Sequence, residues 1–305
     1  MSTRWGALAL SLFSLLAGYQ ASSLKAEEGL RAINGTQLYC KVMGSGEPIV
    51  ILHGGPGLDH TYLLPQMAEL AKDYRLIFFD QRLAGRSASN VDSSAITLQN
   101  FIDDVEGVRR EFNLEKMNLL AHSWGSFLAL NYAITYPDHL KSLTLVSSAP
   151  ASSKYVAEGS ATLRKRFTSA DSLERAQIMQ SEAFRNGEAS TFERLFRITF
   201  RATFYDGALA DGLTLTLPSD FSKRSNKLLH MQKDVTSYDL YEDMSAITCP
   251  TLILQGDHDA IPKAAIERMA EHITGSQLIW LKNCGHFPYI ETPDDFFRLI
   301  RDFVK

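Results

Sequence analysis

The sequence predicts an α/β fold, with a mostly parallel β-sheet, helices on both faces and a helical lid inserted before the last strands. Three observations support this prediction. Short apolar runs alternate with stretches of helical spacing. The later runs are continuously apolar, as in parallel strands that are covered on both faces. From about residue 151 to residue 246 the alternation gives way to charged, helix-like sequence.

Seven strands are predicted from runs of apolar and β-branched residues: 37–43, 49–53, 75–80, 117–122, 143–147, 251–256 and 277–281. A helix is predicted over residues 98–112, because apolar side chains recur there at helical spacing after Thr97, a suitable N-cap. A last helix is predicted after Thr292, where a cap, a first-turn proline and two acids precede an apolar stripe.

These elements divide the chain into a core and an insertion. Residues 24–150 and 246–305 form the two parts of the α/β core, and residues 151–245 form the helical lid. We expect the lid to lie over the carboxyl ends of the strands, where sheets of this kind bind ligands.

The N-terminus has the pattern of a secretory signal peptide over residues 1–23. Arg4 precedes an uncharged apolar stretch, residues 5–17, and small residues follow at 21–23. Cleavage is expected after Ser23, with Ala26 as an alternative. The apolar stretch is shorter than the roughly 20 residues that span a bilayer. We therefore expect an exported protein, periplasmic or extracellular, with no stable membrane span; an uncleaved membrane anchor is the alternative.

The composition is that of an ordinary globular protein, with 305 residues, 45% hydrophobic and 22% charged, and a net charge of −4. This length is sufficient for one large α/β domain with an insertion. The net charge is negative and the sequence has no extended basic stretch, so no nucleic-acid partner is expected.

Ser123 lies in the string Ala-His-Ser-Trp-Gly at residues 121–125, between a predicted strand and an apolar, helix-like run. A sharp strand-to-helix turn at this point would expose the serine hydroxyl and leave the next N–H free to bind an oxyanion. The string therefore indicates a nucleophile. The alternative is that Ser123 simply caps the following helix.

The string His-Gly-Gly-Pro-Gly at residues 53–57 directly follows the second predicted strand and can supply another oxyanion donor. Pro56 has no N–H, so we predict that the N–H groups of Gly55 and Trp124 form the oxyanion hole. A phosphate-binding loop is a poorer interpretation, because the glycine spacing differs and a proline interrupts it. A plain glycine turn is the other alternative.

An acid and a base follow the last two predicted strands. Asp259 is predicted to be the acid, with Asp257 as the competitor, and His286 is predicted to be the base. His258 and His122 compete with His286, but His122 neighbours the nucleophile and is expected to point away from it. No further ligands complete a metal site around residues 257–259, so no metal and no cofactor are predicted.

With the chain order Ser, Asp, His, the sequence resembles the proline iminopeptidase group of α/β-hydrolases. The resemblance covers about residues 33–150 and 245–305, and the lid is similar only in position and helical character. Residues 83–84 and Ala121 depart from the group's pattern, where glycines are usual. The matching strings are His53-Gly54-Gly55-Pro56-Gly57, Asp80-Gln81-Arg82, Gly85-Arg86-Ser87, Ser123-Trp124-Gly125, Asp259 in a Gly-x-x-Asp setting and Cys284-Gly285-His286.

The resemblance implies a serine hydrolase that releases an N-terminal residue, often proline, from short peptides. In that group lid carboxylates hold the substrate's ammonium, and Glu193, Asp206 and Glu242 are the candidates here. Related proteins with the same strings resemble carboxylesterases, lactonases or amidases acting on small acyl substrates, so these activities are the alternative. A non-catalytic binding protein of the same fold is a further alternative. Activity is expected to fall as His286 is protonated, near pH 6–7 by the usual imidazole range.

Overall fold

The computed structural model describes residues 27–305 and contains one eight-stranded sheet. The order of the strands across the sheet is β1-β2-β4-β3-β5-β6-β7-β8. β2 pairs antiparallel with β1 and β4, and all the other pairs are parallel. The predicted, mostly parallel sheet is therefore confirmed. The strands are β1 (Glu27–Ile33), β2 (Thr36–Met43), β3 (Glu47–Leu52), β4 (Tyr74–Phe79), β5 (Met117–His122), β6 (Leu140–Val146), β7 (Thr251–Gly256) and β8 (Gln277–Leu281).

All seven predicted strands are present, and the last two and β5 have the predicted bounds. The prediction missed β1, which lies at the edge of the sheet and pairs only with β2. Its sequence carries three charges in seven residues, and Leu30 is 57% exposed, so it has no apolar signal. The predicted signal peptide lies outside the described residues.

The α-helices lie on both faces of the sheet and in the connection between β6 and β7. The helices of this connection are α3 to α8. Among residues 27–305, the structure has no helix whose length and hydrophobicity would let it span a bilayer. The helices are α1 (Leu98–Glu111), α2 (Trp124–Thr135), α3 (Val156–Arg166), α4 (Ser169–Gln180), α5 (Glu182–Arg185), α6 (Ala189–Arg201), α7 (Phe221–Leu228), α8 (Gln232–Thr236), α9 (Lys263–His272), α10 (Pro288–Glu291) and α11 (Pro293–Phe303). Short 3₁₀-helices cover His60–Leu63, Gln66–Lys72, Ser93–Ala95, Pro137–His139, Ser153–Tyr155, Gly207–Gly212, Leu229–Met231 and Glu242–Ala246.

Two predicted helix caps have different outcomes. Thr97 is the N-cap of α1, and its side chain accepts a hydrogen bond from the backbone N–H of Asn100, as predicted. Thr292 occupies the N-cap position of α11, but its side chain makes no capping bond. Its hydroxyl donates instead to the carbonyl oxygen of Pro288, 3.3 Å away, so the prediction of a capping threonine was wrong there.

Two hydrophobic cores lie on opposite faces of the sheet, and successive residues of β3 alternate between them. Val50 and Leu52 join the core that contains residues of α1, α2 and α9. Ile49 and Ile51 join the core that contains residues of α11 and the 3₁₀-helix Gln66–Lys72. Because neither face of such a strand is solvated, its sequence is a continuous apolar run and does not alternate between apolar and polar residues.

Candidate active site

Ser123 lies between the end of β5 and the start of α2, with φ +56° and ψ −122°. A residue with a side chain rarely adopts this backbone conformation. Gly125 allows the start of α2 to lie against the end of β3, because a Cβ at this position would lie only 2.7 Å from the carbonyl oxygen of His53. Ser123 occupies the N-cap position of α2, but its side chain makes no capping hydrogen bond. The hydroxyl is therefore available for chemistry, which removes the support for the capping interpretation.

The structure brings together the three residues predicted to form a triad. His286 Nε2 lies 2.9 Å from Ser123 Oγ, and His286 Nδ1 lies 2.8 Å from Asp259 Oδ2. Asp259 is held in turn, because its carboxylate accepts hydrogen bonds from Gln255 Nε2 at 2.9 Å and from the N–H of Ile261 at 3.2 Å. This arrangement is that of a nucleophile, a base and an orienting acid.

The alternative acid and one alternative base lie elsewhere. Asp257 accepts a long hydrogen bond, 3.4 Å, from the N–H of Cys284. His258 packs edge-on against the ring of Tyr205, with ring centroids 5.3 Å apart. Neither residue takes part in the hydrogen bonds that join Ser123 to its partners.

The buried His286–Asp259 pair shifts the pKa of both groups. Burial alone would lower the pKa of His286, but the charge and hydrogen bond of Asp259 outweigh it and raise that pKa above its ordinary 6.5. Burial alone would raise the pKa of Asp259, but His286 outweighs it and lowers that pKa. Asp259 therefore stays ionised and accepts the Nδ1–H of His286, which leaves Nε2 free to take a proton from Ser123.

His122 bridges two parts of the site. The carbonyl oxygen of His286 can only accept, so the Nε2–H of His122 donates to it at 2.8 Å. The other ring nitrogen, Nδ1, then accepts from the hydroxyl of Tyr62 at 2.7 Å. Burial and the neighbouring His286 lower the pKa of His122 to about 3, so it stays neutral and cannot be the base. His122 was expected to point away from Ser123, yet both residues line the same cavity, and the His122 ring lies beside that of His286, with centroids 5.0 Å apart.

Two backbone positions of the loop at residues 53–57 cannot donate to an oxyanion. The N–H of Gly54 donates to the hydroxyl oxygen of Tyr62 at 2.6 Å, so it is already occupied. Pro56 has no N–H. Gly55 lines the same cavity as Ser123, and the N–H of Trp124 belongs to the first turn of α2, where N–H groups have no intrahelical partner. The assignment of the oxyanion hole to the N–H groups of Gly55 and Trp124 stays a prediction that these positions allow.

The loop that follows β4 supports the oxyanion side of the site. The N–H of Gln81 donates to His53 Nε2 at 3.0 Å, and the Gln81 side-chain oxygen accepts from Trp124 Nε1 at 3.1 Å. Leu83, which departs from the usual glycine-containing turn, is buried with φ +65°. The turn therefore forms without a glycine at this position.

Asp59, His60 and Asp80 lie close enough to share a metal ion. Asp80, however, accepts hydrogen bonds from the N–H of His60 at 3.1 Å, from its ring at 2.6 Å and from the N–H of Arg86 at 2.8 Å. Asp59 accepts from the N–H of Thr61 at 2.9 Å. These contacts already give the carboxylates a structural role, which is to fix the two loops beside the site.

A cavity of about 90 Å³ adjoins Ser123 and is lined largely by aromatic side chains. Phe196 and Phe200 reach it from α6 of the lid, and Phe287 reaches it from the loop after His286. Phe196 and Phe200 lie four residues apart, so they share one apolar face of α6. Among the described residues that line the cavity, none carries a carboxylate.

The three lid acids predicted to bind the substrate's ammonium are not brought to the cavity. Glu193 accepts a hydrogen bond from the N–H of Leu217 at 2.7 Å. Asp206 accepts from the N–H of Ala208 at 3.0 Å and caps a 3₁₀-helix. Glu242 is exposed in the 3₁₀-helix Glu242–Ala246. None of the three lines the cavity beside Ser123, so their role in binding a substrate's ammonium stays a prediction.

A serine beside a histidine–aspartate pair, at the carboxyl ends of parallel strands and under a helical lid, defines a serine hydrolase of the α/β class. The chain belongs to the alpha/beta hydrolase fold family, whose profile matches residues 47–293.

Relatives of this chain include several proline iminopeptidases. The chain is 29% identical to one from Saccharolobus solfataricus, over 96% of both chains. It is 27% identical to one from Lactobacillus crispatus, over 91% of this chain and 97% of that one.

Solved structures share the fold at lower identity. Proline iminopeptidase of Mycobacterium smegmatis superposes with a TM-score of 0.68 at 20% identity, covering 91% of this chain and 97% of that one. A thermophilic esterase from Thermogutta terrifontis superposes with a TM-score of 0.62 at 23% identity, covering 92% and 98%.

Proposed function

We propose that the protein is a serine aminopeptidase of the proline iminopeptidase type, which releases an N-terminal residue from short peptides through an acyl-enzyme. The observation that carries the hydrolase chemistry is the continuous hydrogen-bonded chain from Asp259 through His286 to Ser123. The preference for peptides rests on the relatives, which are proline iminopeptidases and are similar to this chain over nearly its whole length.

The geometry suggests the following steps. His286 Nε2 takes the hydroxyl proton of Ser123 while Oγ attacks the carbonyl carbon of the scissile bond. The N–H groups of Gly55 and Trp124 stabilise the oxyanion, and loss of one such donor costs about 2.7–4 kcal/mol of transition-state stabilisation. His286 then protonates the leaving amine. Water, deprotonated by His286, attacks the ester of Ser123, and collapse of the second intermediate returns the proton to Oγ.

A second candidate function is the hydrolysis of small uncharged esters or lactones. It is favoured by the cavity, because the described residues that line it include several aromatic side chains and none that offers a carboxylate to pair with a free α-ammonium. Phe196 and Phe200 suit an uncharged acyl group, since they remove it from water without offering a hydrogen bond.

A substrate panel distinguishes the two. We would compare prolyl and alanyl anilides, their N-acetylated forms and short-chain aryl esters, with Ser123→Ala as the control for background. If the protein is an aminopeptidase, the free prolyl anilide is cleaved and N-acetylation abolishes this cleavage. Efficient ester turnover with no cleavage of any free aminoacyl anilide would reject the aminopeptidase in favour of the second candidate.

A fluorophosphonate probe tests the hydrolase chemistry independently of the substrate. We expect the probe to label the wild-type protein at Ser123 and to leave Ser123→Ala unlabelled. A folded wild-type protein that resists labelling would support a binding protein without catalysis.

We also propose export to the periplasm or the exterior. The support is the sequence pattern of residues 1–23, with Arg4 before an apolar stretch and small residues at the end. The test is N-terminal sequencing of the protein recovered from the culture fractions. A mature N-terminus near residue 24 in an extracytoplasmic fraction is the expected result, and an intact N-terminus in the membrane fraction would indicate an anchor.

A further inference from the structure

Glu291 ends α10, five residues after His286, and the steps proposed above give it no role. Its carboxylate accepts three backbone hydrogen bonds. Oε1 accepts from the N–H of Gly285 at 3.0 Å and from that of Phe287 at 3.2 Å. Oε2 accepts from the N–H of Tyr205 at 2.7 Å. A carboxylate with three amide donors is bound strongly, because hydrogen bonds to ionised groups exceed neutral ones.

These contacts fix the backbone of the histidine on both sides. Gly285 and Phe287 are the two neighbours of His286, and one oxygen of Glu291 holds both. The N–H of His286 itself donates to the carbonyl oxygen of Thr203 at 3.0 Å. Three consecutive N–H groups around the base are therefore anchored by two acceptors.

The second oxygen of Glu291 connects this loop to the lid. Tyr205 and Thr203 follow directly after α6, the helix that carries Phe196 and Phe200 into the cavity. The two segments pack without space between them, since a Cβ on Gly285 would clash with the carbonyl oxygen of Thr203. A shift of the 203–205 segment would thus be transmitted to the histidine loop.

We propose that Glu291 is a positioning residue, which locks the His286 loop to the lid segment 203–205 and supplies a negative charge beside the imidazolium that forms during acyl transfer. This inference rests on the proposed serine hydrolase chemistry. Glu291 acts through the backbone around His286 and through its charge, and it does not touch the reacting atoms.

The electrostatic part follows from the groups around Glu291. Burial raises the pKa of Glu291, while the three N–H donors and His286 oppose that shift. Burial lowers the pKa of His286, and Asp259 outweighs that effect and raises it. The charge of Glu291 raises the same pKa further, by a smaller amount. The other titratable groups near it, Cys284 and Tyr289, have their pKa values raised by burial and stay neutral. Two titratable groups lie on the neighbouring loop: His258 packs against the ring of Tyr205, and Asp257 accepts a hydrogen bond from the N–H of Cys284.

The test measures the rate of fluorophosphonate labelling of Ser123 from about pH 5 to about pH 9, the range in which imidazole titrates. In the full-length protein, Glu291→Gln removes the charge but keeps the size of the side chain. We expect labelling to slow by about 10-fold to about 100-fold, as small displacements of catalytic groups do, and the acid limb to move to lower pH. Glu291→Asp keeps the charge but shortens the reach, so it should slow labelling and leave the acid limb in place.

Asp295→Asn is the matched control, because it removes one charge from an exposed carboxylate near the start of α11. It should leave both the rate and the acid limb unchanged. Wild-type rate and pH dependence in Glu291→Gln would overturn the inference. So would equal slowing in both Glu291 variants with no movement of the acid limb in either, because that indicates a purely structural role. Failure of the wild-type protein to label at all would instead count against the proposed hydrolase chemistry.

Discussion

The backbone of Ser123 is strained, and this strain can be measured separately from catalysis. The residue has φ +56° and ψ −122°, a conformation that only glycine adopts readily. Strain of this kind costs on the order of 1–3 kcal/mol at functional sites. Two variants separate its effects: Ser123→Ala keeps the Cβ and the strain, and Ser123→Gly removes both, while neither retains the nucleophile.

The expected difference can be worked out from two opposing terms. Glycine relieves about 1–3 kcal/mol of strain in the folded state. It also stabilises the unfolded state by about 0.5–1 kcal/mol relative to alanine, because its backbone has more conformational freedom there. The midpoints leave Ser123→Gly more stable than Ser123→Ala by about 1 kcal/mol. In a protein of this size the difference corresponds to a shift of about 1.5–2 °C in Tm.

The assay is the free energy of unfolding in urea, with Tm as a second readout and fluorophosphonate labelling to show that both variants are inactive. Asn131 in the middle of α2 provides the control pair, because its backbone is helical and unstrained. There, Asn131→Gly should be less stable than Asn131→Ala by about 0.5–1 kcal/mol, the opposite sign. If the Ser123 pair shows the same sign and size as the Asn131 pair, the elbow stores no strain and the reasoning is refuted.

Three further predictions follow from the contacts around the site. The kcat/KM should fall as pH drops through the raised pKa of His286, so a profile whose acid limb lies below 6.5 would contradict the effect of Asp259. Tyr62→Phe leaves the N–H of Gly54 and Nδ1 of His122 unsatisfied, and it should lower the free energy of unfolding by about 1–3 kcal/mol; an unchanged urea midpoint would argue against the bridge. Arg82→Met leaves Asp104 buried without its bidentate partner and should cost about 3–5 kcal/mol at neutral pH. Because burial raises the pKa of Asp104 to about 6 even when it is paired, that loss should shrink in urea titrations at about pH 5, and a pH-independent loss would point to packing instead.

The sequence predicted the central part of the sheet because its strands are buried on both faces. In β5 all six residues are buried, and four of them are apolar, which gives the strand its signal in the sequence. β1 fails this criterion, since it lies at the edge and its position is decided by pairing with β2 rather than by burial. Thr292 occupies the N-cap position of α11, but its hydroxyl donates to the carbonyl oxygen of Pro288 and makes no capping bond, a tertiary detail that the cap pattern does not record.

The three residues of the candidate triad could be predicted because each follows a strand, and parallel strands bring their carboxyl ends to one edge. The lining of the cavity could not be predicted in this way. Glu193 and Phe196 lie three residues apart in the same helix, yet the first accepts a backbone hydrogen bond within the lid and the second enters the cavity. Which face of α6 turns toward Ser123 depends on the packing of the lid against the core, and no local pattern records that packing.

His122 shows how the separate parts of the site are held in one geometry. It precedes the nucleophile on β5, so its position is fixed by the sheet. One ring nitrogen reaches the loop of Gly54 through the hydroxyl of Tyr62, and the other binds the carbonyl oxygen of His286. Because burial keeps His122 neutral, it donates at one nitrogen and accepts at the other, and that polarity does not change in the pH range where His286 titrates. Protonation of the base therefore leaves intact the bridge that sets its distance from the oxyanion loop.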